Sequence, residues 1–164
     1  MVLTKNELID SLQNEVRILL HLASKIDPAQ AGYRPTAKQR STLELLQYLV
    51  NMGPFLVRSI QAGAFDGAAW GAAGEVSKAM DLDAVKAAIG RQPALFAELL
   101  GAYPDASLCE EIEMFGRKST RGSLLVNVVL SGYAAYRTQL FLYLKACGRE
   151  ELNTMNLWAG VDPS

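Results

Sequence analysis

Two Ser/Thr-x-x-Glu boxes, each heading a run of apolar residues at helical spacing, constrain this chain more than any other feature of its sequence. The first is Thr4-Lys5-Asn6-Glu7. The Thr4 hydroxyl can accept from the Glu7 amide while the Glu7 carboxylate reaches back to the cap, so two backbone donors are satisfied together. Leu8, Leu12, Val16, Leu19, Ala23 and Ile26 follow on one stripe. They predict an amphipathic helix over 5–26, ended by Asp27-Pro28. The second box, Ser41-Thr42-Leu43-Glu44, opens a helix to about Gln61 with Leu45, Tyr48, Leu49, Met52, Phe55 and Leu56 on its apolar side. Gly53-Pro54 lies inside that helix, and a proline there predicts a kink.

The rest of the chain reads the same way. Residues 27–40 form a loop containing Tyr33-Arg34-Pro35-Thr36, and residues 62–76, rich in Gly and Ala, read as a surface connection. Asp81 is placed to cap a third helix to about Ala102, with Val85, Ile89, Phe96, Leu99 and Leu100 inward; Gly90 and Pro93 should bend or split it. Residues 110–118 alternate weakly and suit an extended segment. Ser119 or Thr120 then caps the longest helix, over 120–147, with Gly148 as its stop. A short last helix should begin near Glu150, and the tail should pack Trp158 back on the bundle. Four long amphipathic helices predict an all-α four-helix bundle with a short additional C-terminal helix. No internal repeat or linker divides the chain, so residues 1–164 are expected to form one domain.

Composition narrows the function classes. The 164 residues carry 16 Lys plus Arg against 17 Asp plus Glu, a net charge of −1. That balance argues against gripping nucleic-acid backbone. No apolar run approaches the length of a membrane span. The N-terminal stretch MVLTKNELID lacks the basic and apolar regions of a signal peptide. Cys109 and Cys147 stand far apart and form no CxxC pair, which suits reduced thiols and a cytoplasmic location. The chain has one histidine, His21. A zinc site built from several histidines is therefore excluded within one chain, and any histidine-based triad would have to use His21.

Tyr33-Arg34-Pro35 followed by Ser41-Thr42-Leu43-Glu44-Leu45-Leu46-Gln47-Tyr48-Leu49 resembles the helix-2 opening of DinB/YfiT-like proteins. Tyr136-Arg137-Thr138-Gln139-Leu140, with Tyr143-Leu144 after it, is similar to their fourth-helix motif, and Leu157-Trp158-Ala159-Gly160 to the tail of some members. The motifs are short but run in order through nearly the whole chain. The resemblance implies an up-down-down-up four-helix bundle, homodimers in many members, and a zinc or nickel ion held by three histidines. One of these stands on helix 2 and two stand on helix 4 at i, i+4. Some members are thiol-dependent S-transferases or isomerases. Carried over, the three ligand positions fall on Tyr48, Gly132 and Tyr136. None is a usual ligand for zinc or nickel, so no metal or other cofactor is expected here.

Tyr48, Gly132 and Tyr136 then either line a repurposed pocket or fill core space left by metal and imidazoles, and core filling is the expected outcome. Gly132 leaves room for Tyr48, another side chain or a ligand to approach the backbone. Arg137 either holds an anionic substrate or, as expected, lies in solvent or pairs with a carboxylate such as Glu44. Glu44 is a capping residue and a candidate pocket base; Gln139 belongs to the fourth-helix motif. His21 is expected in solvent beside Arg17 and Lys25. Arg117, Lys118 and Arg121 follow Glu110, Glu111 and Glu113 as a solvated or mutually paired charge run, with a helix-terminal anion site as the alternative. Neither cysteine has a neighbouring histidine to activate it. The sequence thus points to a DinB-like bundle without its metal, binding a small organic molecule between helices or serving a structural or dimerisation role. The alternative is a thiol-dependent transferase or isomerase that works without the metal.

Overall fold

The computed structural model describes residues 3–163. Met1 and Val2 of the N-terminal stretch, and Ser164 at the end of the tail, lie outside the described residues. Both capping boxes form with reciprocal hydrogen bonds, and they start α1 (Lys5–Ala23) and α2 (Thr42–Ala62). Asp81 caps α4 (Leu82–Gly90), and Pro93 in the first turn of α5 (Gln92–Gly101) accompanies the split in the third helical segment. The weakly alternating segment is an antiparallel hairpin, β1 (Glu111–Met114) with β2 (Arg117–Thr120). Its two turn residues, Phe115 and Gly116, have φ of 55° and 73°, the backbone hand that matches strand twist.

Thr120 caps the last long rod, which runs through α6 (Arg121–Leu124), a π-helical stretch (Leu125–Leu130) and α7 (Ser131–Ala146). Gly148, at φ 87°, ends it. α1 packs against α5 and α7, and α2 packs against α3 (Gly67–Lys78), α4 and the π-helical stretch. Leu12, Val16, Leu19, Leu22, Leu45, Leu49, Ile60, Phe96 and Val129 are sealed between them. No helix of the described residues is long and apolar enough to cross a membrane.

Three segment expectations are corrected. Residues 62–76 are not a surface connection, because Asp66 caps a twelve-residue helix, α3 (Gly67–Lys78). The glycines weaken the helical signal, and the Asp66 cap and packing against α2 supply what the sequence pattern lacks. The last helical turn begins not near Glu150 but at Met155, as a short π-helical turn (Met155–Ala159). Trp158 in that turn is 67% exposed rather than buried; the Arg137 guanidinium lies over its ring, 5.3 Å from the centroid.

The tail is fastened by polar contacts instead. Arg17 donates to the carbonyls of Ala159 (2.8 Å) and Gly160 (3.3 Å). Gly160, at φ 61°, comes so near α1 that a Cβ would stand 3.0 Å from Arg17 and Ile18 side-chain atoms. His21, expected in solvent, is mostly covered by this tail. The Asn156 carboxamide oxygen accepts from the Asn153 amide, so its nitrogen donates to Asp162 (2.9 Å) and meets His21 Nε2 at 3.1 Å. His21 Nε2 is then the acceptor and the ring is neutral. Burial, reinforced by Lys25 and Arg17 and opposed by Asp162, holds its pKa below the usual value.

A histidine with a depressed folded pKa stabilises the fold above its unfolded pKa, and that contribution is lost as pH falls through the folded value. Acidification below about pH 6.5 is therefore expected to loosen the tail. A lower protection factor at residues 155–162 on acidification, with exchange referred to the intrinsic amide rate at each pH, is the expected result in the wild type and not in His21→Asn; an equal change in both refutes it.

Candidate functional site

Tyr48 on α2 and Tyr136 on α7 meet edge to face, with ring centroids 5.1 Å apart. One turn along each helix, Met52 meets Gly132. A Cβ at Gly132 would stand 3.3 Å from Met52 Cε. The backbone room left by Gly132 is thus taken by a thioether, and the inter-helix space bounded by these four residues is closed by Tyr48, Tyr136 and Met52. Burial, and after it the Tyr136 hydroxyl, pushes the Tyr48 phenol up to about 12 against the pull of Arg40. Tyr48 and Tyr136 offer phenols in place of the imidazole, thiolate or carboxylate donors that zinc and nickel take, and Gly132 brings no donor at all. Among the described residues no group of three or more His, Cys, Asp or Glu could hold a metal ion. The side chains at these positions do not fit the zinc or nickel of the resemblance.

Open space lies on the other side of Tyr48. A groove of about 560 Å³ runs between α2 and α3, with Glu44, Gln47, Tyr48 and Asn51 on one wall and Trp70, Gly71 and Gly74 on the other. Ring contacts join Tyr48 to Trp70 (5.7 Å) and Trp70 to Phe55 and Phe65 (5.2 and 6.0 Å). Phe115, at the hairpin tip, extends this cluster through Phe65 at 5.6 Å. A smaller apolar hollow of about 350 Å³ shares Tyr48 and Trp70 with the groove and is otherwise lined by Leu56, Phe65, Phe115 and Val128.

The six candidate residues are therefore not one cluster. Glu44 and Tyr48 line the groove, and Tyr136 supports Tyr48 from behind. Glu44 also works as a cap: it accepts from the Ser41 amide at 2.7 Å and from Arg34 at 3.1 Å, and these partners hold its carboxyl below the usual range. Gln139 donates to the Tyr143 hydroxyl (2.5 Å), which donates to the Arg40 carbonyl (3.0 Å). Gln139 thus acts on the groove only through the backbone of Arg40.

Arg137 is neither in solvent nor paired with Glu44. It points from α7 toward α1, is 4% exposed, and sits 3.1 Å from the carboxylate of Glu15 while donating to the Leu157 carbonyl at 2.8 Å. The reason is its register: Arg137 stands one turn beyond the buried Tyr133 on the covered face of α7, while Glu44 belongs to the opposite wall of the bundle. Two pairs form within the charge run, Lys118 with Glu111 at 2.8 Å and Arg121 with Glu110. Both cysteines are free thiols outside the groove. Burial, aided by Asp27, holds the Cys147 thiol above its usual pKa.

Sequence reasoning missed Arg40, Trp70, Gln47 and Asn51. Trp70 lay in the segment read as a connection; Asp66 followed by Trp70, Ala73 and Ser77 at helical spacing is the signal that marks it.

A helical bundle entered by two capping boxes, with paired tyrosines between α2 and α7 and a hairpin before the last rod, is a DinB-like fold. The crystal structure of the DinB-like protein YjoA from Bacillus subtilis superposes with a TM-score of 0.68 over 90% of this chain and 95% of that one, at 21% identity. That likeness is one of fold. No protein-family model matches the sequence, and no curated protein does.

Proposed function

We propose that this chain binds a small organic molecule in the α2–α3 groove beside Tyr48, without the metal that the resemblance implies. The observation that carries the reading is the position of Tyr48. The inter-helix side of its ring is closed by Tyr136, with Met52 filling the next turn, while the other side opens on a concave space walled by Trp70. A concave site with an aromatic wall and a few fixed polar groups is what small ligands use. Less supports the thiol-dependent alternative. The Glu44 carboxylate is tied to its own cap and to Arg34, and the Tyr48 phenol stays protonated near neutral pH, so neither is a ready base.

The groove can be blocked without touching its polar groups. A Cβ on Gly74 meets nothing within 4 Å, so Gly74→Phe is expected to fold and fill the space. With Trp158→Phe as background, Trp70 is the remaining tryptophan. Titration with phenol should then change its fluorescence saturably, and Gly74→Phe should abolish the change. A response that survives the block overturns the groove reading. Near-stoichiometric zinc or nickel in dialysed protein overturns the metal-free part.

A further inference from the structure

The polar groups of the groove are committed in one direction. Gln47 Nε2 donates to the carbonyls of Lys78 (3.1 Å) and Met80 (2.8 Å), at the end of α3, where carbonyls lack helical partners. Turning the amide over would set its oxygen against both, so the nitrogen faces α3 and the oxygen faces away. Asn51 does the same one turn further along α2: its Nδ2 donates to the Ala73 carbonyl (3.1 Å) and to Ser77 Oγ (2.9 Å), whose own proton goes to the Gly74 carbonyl (3.1 Å). Neither amide oxygen accepts a hydrogen bond among the described residues. The sealed side-chain atoms without a hydrogen-bond partner there are Glu15 Oε2 and Arg137 Nε, which face each other as an ion pair, so neither amide oxygen is sealed from solvent. Gln47 lines the groove, whereas Asn51 borders both the groove and a second hollow of about 480 Å³ toward α5.

The charges are equally sorted. Glu44 pairs with Arg34 at 3.1 Å and Glu75 with Lys78 at 2.6 Å. Arg40 alone among the lining cations has no carboxylate partner in the described residues. Its guanidinium lies 4.1 Å from the centroid of the Tyr48 ring, and its backbone is held by Tyr143. Stacking on the ring orients the guanidinium while leaving its N–H donors free.

We infer, on the footing of the groove reading above, that the occupant is a planar aromatic acid carrying N–H or O–H donors. Its ring packs against Trp70 and Tyr48, its anionic group pairs with Arg40, and a donor meets the oxygen of Gln47. An uncharged arene leaves Arg40 unused, and an acid without donors leaves the Gln47 oxygen facing apolar surface, a loss that binding sites feel strongly.

Trp70 fluorescence in the Trp158→Phe background, with three probes, tests this. Para-aminobenzoate should bind about tenfold or more tightly than aniline, which lacks the anion, and than benzoate, which lacks the donors; a charge-assisted hydrogen bond corresponds to about that factor. Arg40 is exposed, so Arg40→Gln is expected to fold. It should weaken para-aminobenzoate and benzoate about tenfold and leave aniline unchanged. Equal binding of aniline and para-aminobenzoate, or indifference to Arg40→Gln, overturns the ligand class while leaving the groove reading in place. Absence of any saturable response to phenol or the three probes overturns both.

Discussion

Gly53→Ala is expected to destabilise this protein by about 3 kcal/mol or more, from overpacking and lost buried hydrogen bonds together. Helix propensity predicts the opposite, a gain of about 1 kcal/mol for replacing glycine by alanine inside a helix. The sign is reversed by what crosses the helix at this point. A Cβ on Gly53 would stand 2.0 Å from the Tyr133 hydroxyl and 2.7 Å from two of its ring carbons. Tyr133 is fully buried, so its ring has nowhere to go.

The neighbouring residue explains why the tyrosine is there. Pro54 has no amide hydrogen, so the Val50 carbonyl loses its helical donor. Gln92 Nε2 replaces it at 3.0 Å and also reaches the Leu49 carbonyl at 2.9 Å. The Tyr133 hydroxyl donates to Gln92 Oε1 at 2.6 Å and so orients that amide. Gly53, Pro54, Gln92 and Tyr133 are one device, in which a proline defect in α2 is healed from α5 and α7. Denaturant unfolding checks the prediction. A midpoint equal to or above the wild-type value sinks it. Tyr133→Phe added to Gly53→Ala should recover only part of the loss, because the ring carbons remain in the way.

The second large effect is expected at the buried ion pair. Arg137→Met should cost about 3–5 kcal/mol near neutral pH, the usual result of leaving one buried charge without its partner. Burial already holds the Glu15 carboxyl above its ordinary pKa, and Arg137 is what pulls it back. A carboxyl whose folded pKa is raised contributes stability that is present below its unfolded pKa and lost as pH rises through the folded one. Removing Arg137 raises the folded pKa further, so the deficit of the variant should shrink as pH is lowered from 8 toward about 5. A pH-independent deficit contradicts this account. Glu15→Leu combined with Arg137→Met should regain most of the stability, since a well-packed apolar pair often replaces a buried ion pair at no cost. The double variant separates loss of the charge partner from loss of the Leu157 contact, which both variants share.

Much of the fold was legible in the sequence because its signals are local. Thr4 with Glu7 and Ser41 with Glu44 act within one turn, and the apolar stripes that follow need only helical geometry to be read. α3 was not legible in the same way: its glycines weaken the pattern, and its helicity rests on the Asp66 cap and on packing against α2. The candidate site was read less completely. Tyr48 and Glu44 do line the groove, but Arg137 and Gln139 belong to other contacts, and Arg40 and Trp70 were not singled out. Motif adjacency along one helix says nothing about which neighbour each face meets, since successive residues on a helix point about 100° apart.

The single histidine shows the same division. The sequence by itself determined that one chain cannot supply three histidines to a metal, because it has only His21; the resemblance to DinB/YfiT-like proteins, not composition, is what sets Tyr48, Gly132 and Tyr136 at the positions of their ligands. Composition suffices for the histidine count, because a missing donor cannot be supplied by folding. Only the tertiary structure decided what stands there instead: Met52 opposite Gly132, Tyr136 behind Tyr48, and His21 held neutral under the C-terminal tail. These contacts join residues up to 135 positions apart, and which distant side chains share a buried space is settled by packing rather than by local preference.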